Sequence, residues 1–309
     1  MTKKIFVGLF CATMLGFTSC SNDSQDTVSN DAKIENVEFN NLCSSLDPLG
    51  SKYKSPVTRA VNWNKWGGRL FSATVDGITA CISGPAGWAV GPLCSWAFDE
   101  HWTRCTRQMS RASAIQDPTL PLKENTPTYV FNDDQMTKDD SIGYYHNLVL
   151  DDLANSGKKY VTSSDEIDYP SILRDCVAAA KKYGVNLNIS LADQQKYVAF
   201  SKDVVSSFAD CGAEKITINQ AFSDINTSFE SKFDTKLNLD KVEMVQNEIV
   251  DVLNSIDDEK SVREYADKVN TILKTANLNP ELKNDLRTVT SVTVNSKLYW
   301  TSSEKELAK

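Results

Sequence analysis

Between Asp76 and Asp99 the chain runs through 22 residues, Gly77 to Phe98, with no charged side chain. A run of that length is long enough to cross a bilayer as one helix. Pro85 and Pro92 interrupt it, because a proline inside a helix removes a hydrogen bond and its ring clashes with the preceding turn. Thr79, Ser83, Ser95 and four glycines dilute it further. Gly87 and Gly91 lie four residues apart, a spacing that lets two helix backbones approach closely. The run is expected to form a buried helical hairpin. A membrane-active or partner-binding segment and a stable transmembrane helix are the alternatives.

What flanks the run divides the chain in two. Residues 51–111 hold eight basic side chains against three acidic ones, and five of the six tryptophans: Trp63, Trp66, Trp88, Trp96 and Trp102. Residues 112–309 hold 22 basic and 32 acidic side chains. Tryptophan and arginine at the ends of an uncharged stretch suit a membrane interface. They suit a packed domain edge equally well. A protein or envelope partner is the candidate occupant of this Trp-rich segment. With 41% apolar and 24% charged residues, the 309-residue chain is able to build a sizeable core. Its net charge of −8 argues against nucleic-acid binding.

The N-terminus has a targeting pattern. Lys3 and Lys4 precede an apolar stretch from Ile5 to Phe17, and the stretch ends in Thr18-Ser19-Cys20. A small residue directly before a cysteine resembles the lipobox of bacterial lipoproteins, with Phe17 where leucine is more usual. That resemblance implies a signal peptide over 1–19, removed to leave fatty-acylated Cys20 as the first residue and the membrane as a partner through this lipid. A plain secretory segment with an incidental Cys20 is the alternative. Ser21 to Asp31 then carries three aspartates and no basic residue, too polar to bury a core of its own. It reads as part of a flexible tether over 20–42. An acidic stretch behind the anchor is similar to the surface-export signal of lipoproteins from Bacteroidota-type bacteria. The implied location is the outer membrane or the cell surface.

The expected fold is mainly α: the Cys/Trp/Gly-rich basic helical segment over 43–116, a Pro-rich linker over 117–139, then an acidic helical bundle over 140–309. In the bundle, helices are expected from Asp140 or Ser141 to Asn155, from Asp168 to a stop at Gly184, and from the Ser190–Asp193 cap to Gly212. Phe222, Ile225 and Phe229 continue the helical period. Val242, Val245, Ile249, Val252, Leu253 and Ile256 form the clearest apolar stripe, and Val262, Tyr265, Ala266, Val269, Ile272 and Leu273 the next. Asn279-Pro280 opens a last helix. The β-branched run Thr288 to Val294 could instead be a strand.

Residues with chemistry are few. The only histidines are His101 and His146, which limits histidine catalysis. His146 shares a helical face with Ile142, Tyr145, Val149 and Leu153, so a buried ring held by a carbonyl or carboxylate is expected. A functional histidine is the alternative. Gly143, one turn earlier, is expected to leave room beside that ring. Cys43, Cys81, Cys94 and Cys105 could form two disulfides, one stapling the hairpin, as an exported protein permits. Cys176 and Cys211 lie on apolar stripes and read as buried thiols. Cys94, His101 and Cys105 have metal-ligand chemistry but no Cys-x-x-Cys spacing, and no metal site is expected. Asp133, Asp134, Asp139 and Asp140 read as solvated loop acids and caps. No nucleophile elbow, phosphate loop or zincin motif occurs, and no cofactor is expected.

Gly143-x-x-His146-Asn147-x-x-Leu150 resembles a motif of uncharacterised, lipid-anchored Bacteroidota-type envelope proteins. In them it accompanies a Gly/Ala-rich segment, here Ala73 to Gly77, and a helical ending in Tyr-Trp, here Lys297 to Trp300. Pro85 and Pro92 depart from a smooth glycine-rich helix. The resemblance marks Gly143, His146 and Asn147 as a possible functional motif but implies no activity. The functional expectation is a lipid-anchored binding or interaction module and not an enzyme. An antibacterial-type membrane effector using 63–111 and a hydrolase-like enzyme using His146 are the rivals.

Overall fold

Apolar stripes at helical spacing dictate the outer layer. The computed structural model of the chain describes residues 30–53, 63–110, 128–130, 141–212, 215–235, 239–256 and 258–307. Ten helices occur among these: α1 (Asn30–Tyr53), α2 (Trp63–Ile82), α3 (Gly87–Ser110), α4 (Ile142–Asn155), α5 (Tyr169–Lys182), α6 (Leu191–Gly212), α7 (Ile218–Phe233), α8 (Asp240–Asn254), α9 (Glu259–Thr275) and α10 (Pro280–Leu307). The fold is mainly α, as the periodicity predicts. In α8 the stripe Val242, Val245, Ile249, Val252 and Leu253 is buried, and in α9 Val262, Tyr265, Ala266, Val269 and Leu273. Caps stand where the residue types place them. Asp168 accepts from the Ser171 amide at the start of α5, and the Asn279 side chain accepts from the Leu282 amide at the start of α10. Gly157 and Gly184 take positive φ just beyond α4 and α5.

The uncharged run becomes the centre of the molecule. It divides into the end of α2, a 3-10 turn over Gly84–Ala86, and the first half of α3. Pro85 falls in the turn, whereas Pro92 lies inside α3 and the helix continues through it. Apart from Cys81, Gly84 and Trp96, every residue of the run whose burial is described is buried. A Cβ at Gly87 would overlap the Ala80 carbonyl, and one at Gly91 would stand 3.7 Å from Ala80 Cβ. The Gly-x-x-x-Gly pair is thus the surface on which α3 closes against α2. α2 also packs on α6, α8 and α10, while α3 packs on α4, α5 and α6. One apolar cluster extends from Phe39 of α1 to Tyr299 of α10, so hairpin and bundle share a core. Among the described residues no helix is long and apolar enough to cross a membrane.

Two expectations change here. The flexible tether over 20–42 is helical from Asn30, because Phe39, Leu42 and Leu46 make a stripe that α1 buries against α8 and α9. The Glu35 carboxylate accepts from Lys241 and Asn279, fixing the same helix from its polar side. Residues 20–29, with Cys20, lie outside the described residues. The strand alternative at Thr288 to Val294 is helix. Thr288 through Ser296 are all buried, because α2, α4, α8 and α9 surround α10. The Thr290 hydroxyl donates to the Leu286 carbonyl one turn back, 2.6 Å away, and needs no outside partner. Of the linker 117–139 only residues 128–130 are described. There Tyr129 is buried, and its amide and carbonyl both pair with the side chain of Asn295.

Candidate functional site

Two of the three sequence segments singled out by the motif resemblance meet in one place, against α10 residues that lie just before the third. Asp76 comes from α2, His146 and Asn147 from α4, and Asn295 and Ser296 from α10, with Ser95 of α3 closing the group. Two glycines bring these helices together. A Cβ at Gly143 would overlap the Ser291 carbonyl, so α4 lies directly against the α10 backbone. A Cβ at Gly77 would stand 2.5 Å from Gln246 Nε2 and 2.6 Å from Thr293 Oγ1. Gly143 therefore makes room for α10 and not for the imidazole, contrary to expectation. Gly91 of α3 lies beside the ring instead, its Cβ position 3.6 Å from His146 Cδ2.

Asp76 is fully buried, and its Oδ2 accepts from Ser296 Oγ at 2.6 Å and from Ser95 Oγ at 3.1 Å. His146 Nε2 faces the same oxygen at 3.5 Å, on the margin of a hydrogen bond. The other ring nitrogen, Nδ1, lies 3.2 Å from Asn147 Oδ1, and Asn147 Nδ2 donates to the Asn295 carbonyl at 2.8 Å. Asn295 Nδ2 in turn donates to the carbonyls of Ser291 and Tyr129. Nearby, Gln246 of α8 donates to the Thr74 carbonyl, and the Tyr299 hydroxyl reaches Asp151. Each bond in this seam joins side chains or backbone that a low-dielectric interior would otherwise leave unpaired.

Burial decides the charge state. Desolvation pushes the Asp76 carboxyl well above the usual carboxylate range, although the Ser296 and Ser95 hydrogen bonds oppose it. Desolvation also lowers His146 to about 4, against the Asn147 hydrogen bond. Chemically the group is a carboxyl beside an imidazole, with two hydroxyls donating to one carboxyl oxygen. At 0% and 2% exposure, Asp76 and His146 are enclosed by the four helices whose side chains meet there.

The expected buried histidine beside a carboxylate is what the structure shows. Sequence reasoning missed the roles of Asp76, Ser95, Asn295 and Ser296. One signal was present: Asp76 is the single charge between Arg69 and Asp99. Nothing comparable marks the α10 residues.

Among the cysteines, Cys43, Cys81 and Cys94 are free thiols, so the expected disulfides do not form among these three. Cys43 belongs to α1, which packs on α8 and α9, and Cys94 is buried with its thiol toward Ser201 Oγ at 3.3 Å. Burial pushes the Cys94 thiol up to about 12, which suppresses the thiolate that disulfide exchange requires. The side chain of Cys105 lies outside the described residues, as do Asp133, Asp134, Asp139 and Asp140. Cys176 is a buried thiol as expected, and Cys211 is half-buried. Among the described residues no group of three His, Cys, Asp or Glu side chains could hold a metal ion. Trp88 packs against Tyr145 with ring centres 4.8 Å apart, and Trp96 meets Tyr160 edge-on. Compared with protein-family models, characterised proteins and solved structures, the chain matches none.

Proposed function

We propose that the chain is a lipid-anchored cell-envelope protein whose helical body serves as a binding or interaction module at the outer membrane or cell surface. The observation that carries this reading is the N-terminal pattern: a basic start, an apolar stretch and Ser19-Cys20, followed by an acidic tether. The motif resemblance supports the same address. The body supports the binding role by where its chemistry lies. His146, Asp76, Ser95 and Ser296 are engaged with one another inside the protein, which leaves recognition to the outer helices. Two open grooves lie there. One, of about 370 Å³ between α6 and α7, is lined by Asp203, Ser206, Ser207, Asp224, Thr227 and Ser231. The other, of about 300 Å³, is lined by Asp152, Lys158, Tyr160, Asp175 and Lys182. The rival membrane-active reading would require α2 and α3 to leave the core.

Metabolic labelling with a palmitate analogue is expected to mark the wild-type protein in its native membrane and to leave Cys20→Ala unmarked. An unlabelled wild type overturns the anchor. Dye release from anionic vesicles that disappears in the Trp88→Ser, Trp96→Ser double variant would favour the effector reading instead. A turnover abolished by His146→Ala would make the protein an enzyme.

A further inference from the structure

We propose that Asp76 and His146 form a buried site for one proton, which latches α2 to α4 and makes the folded bundle lose stability as its surroundings turn alkaline. The inference starts from Asn147. Its Nδ2 donates to the Asn295 carbonyl, so the atom it turns to the imidazole is Oδ1, which only accepts. Nδ1 of His146 therefore carries a hydrogen. In a neutral ring that leaves Nε2 as a lone pair, and this lone pair faces Asp76 Oδ2 at 3.5 Å. A carboxylate there would set an anion against a lone pair, with both groups buried away from solvent. A proton on either atom turns the contact into an attraction. A second proton would leave an imidazolium facing a neutral acid, equally uncompensated.

The surroundings supply no substitute for that proton. On α3, Ser95 donates to Asp76, while Asp99 acts on it electrostatically and Cys94 senses it in turn. On α10, Ser296 donates to Asp76, and Tyr299 is turned to Asp151 of α4. α6 presents Ser201 to Cys94, α5 presents Tyr169 and Cys176 toward the same thiol, and α8 presents the neutral Gln246. Among the described residues no lysine or arginine pairs with Asp76. Burial raises the acid and lowers the imidazole to about 4, and both shifts keep the proton on the carboxyl.

The sign of the pH effect follows from counting protons. The folded pair holds one above about pH 4, below which the imidazole takes a second. The unfolded pair holds two below about pH 3.9, one up to about pH 6.5 and none above. Stability contributed by the pair is therefore level up to about pH 6.5 and lost above it. The alkaline loss is about tenfold in the folding constant per pH unit until Asp76 ionises.

Chemical denaturation of the purified full chain from pH 5 to 9 tests this, read as the difference between wild type and variants so that other titrating groups cancel. In Asp76→Asn the amide donates to Nε2 without titrating, so the loss above pH 6.5 is expected to vanish relative to wild type. In His146→Gln the decline is expected to be in progress already at pH 5 and to continue through pH 6. Parallel curves for wild type and Asp76→Asn above pH 6.5 overturn the proposal. Should the variants fail to fold, nitrogen-15 spectra of the wild-type imidazoles decide, with His101→Gln assigning the two rings. His146 is expected to hold a proton on Nδ1 throughout pH 5 to 8. A neutral ring protonated on Nε2 alone overturns the one-proton site.

Discussion

The outer helices and the inner ones are built on different terms. α5 to α9 each present an apolar stripe inward, and α5, α7 and α9 have a side-chain oxygen capping the first turn. α2, α3 and α10 meet through glycine, alanine, serine and threonine, and through side chains that bond across the interface. In the outer layer, apolar area removed from water supplies the stability and the exact partner matters less. In the inner layer close approach and polar pairing set position, so small changes of shape matter more than loss of area. Large truncations should thus hurt most outside, and small additions should hurt inside.

Phe208→Ala breaks the outer layer most severely. Its ring is fully buried on α6 and meets Phe222 of α7 edge-on, with centres 5.9 Å apart. The expected loss is about 3–5 kcal/mol, the transfer free energy plus the cavity left behind. Urea denaturation should show a lower midpoint with an unchanged slope, since α6 and α7 remain packed elsewhere. A loss under about 1 kcal/mol would mean that the outer layer repacks freely.

Gly143→Ala is the matching change inside. Adding one methyl to a surface site on a helix would raise helix propensity. Here that methyl meets the Ser291 carbonyl, a backbone atom of a helix enclosed by its neighbours. α4 must shift, which strains the Asn147–Asn295 and His146–Asp76 contacts together. The expected net loss is about 1–3 kcal/mol, as for other overpacked cores. The measurement that separates this from a local clash is the pH profile: displacing His146 should also flatten the alkaline loss. A stabilised Gly143→Ala would show that α4 and α10 are not held at backbone contact.

The same contrast explains what could be read in advance. Stripes such as Val242 to Leu253 carry their own period, and caps such as Asp168 their own chemistry, so α5 and α6 were legible to within a residue or two, and α7, α8 and α9 as stripes without exact ends. α10 was legible only at its Asn279-Pro280 start, because the stretch Thr288 to Ser296, buried on every side, has no polar face to give a period; Thr288 to Val294 looks like a strand until its surroundings are known. α1 was hidden for the opposite reason. Its stripe of Phe39, Leu42 and Leu46 follows a polar, acidic stretch whose composition outweighs three apolar residues. Within the site, His146 could be placed from its helical face alone. Asp76, Ser296 and Asn295 could not, since their partners lie 19 to 220 residues away.

The smallest effect tests whether the outer layer's ends are as independent as its faces. Asp258 precedes α9, and its Oδ1 accepts from the Ser261 amide at 2.8 Å, satisfying one of the donors that a helix start leaves open. The bond is exposed and touches neither the seam nor the apolar cluster. Asp258→Ala should therefore cost about 1 kcal/mol, whereas Asp258→Asn, which keeps the acceptor, should cost only a few tenths. Amide exchange at Ser261 is expected to quicken in the alanine variant, while exchange in α10 stays as it was. If α10 quickens as well, the ends of the outer helices are coupled to the centre, and the division into two layers fails at α9.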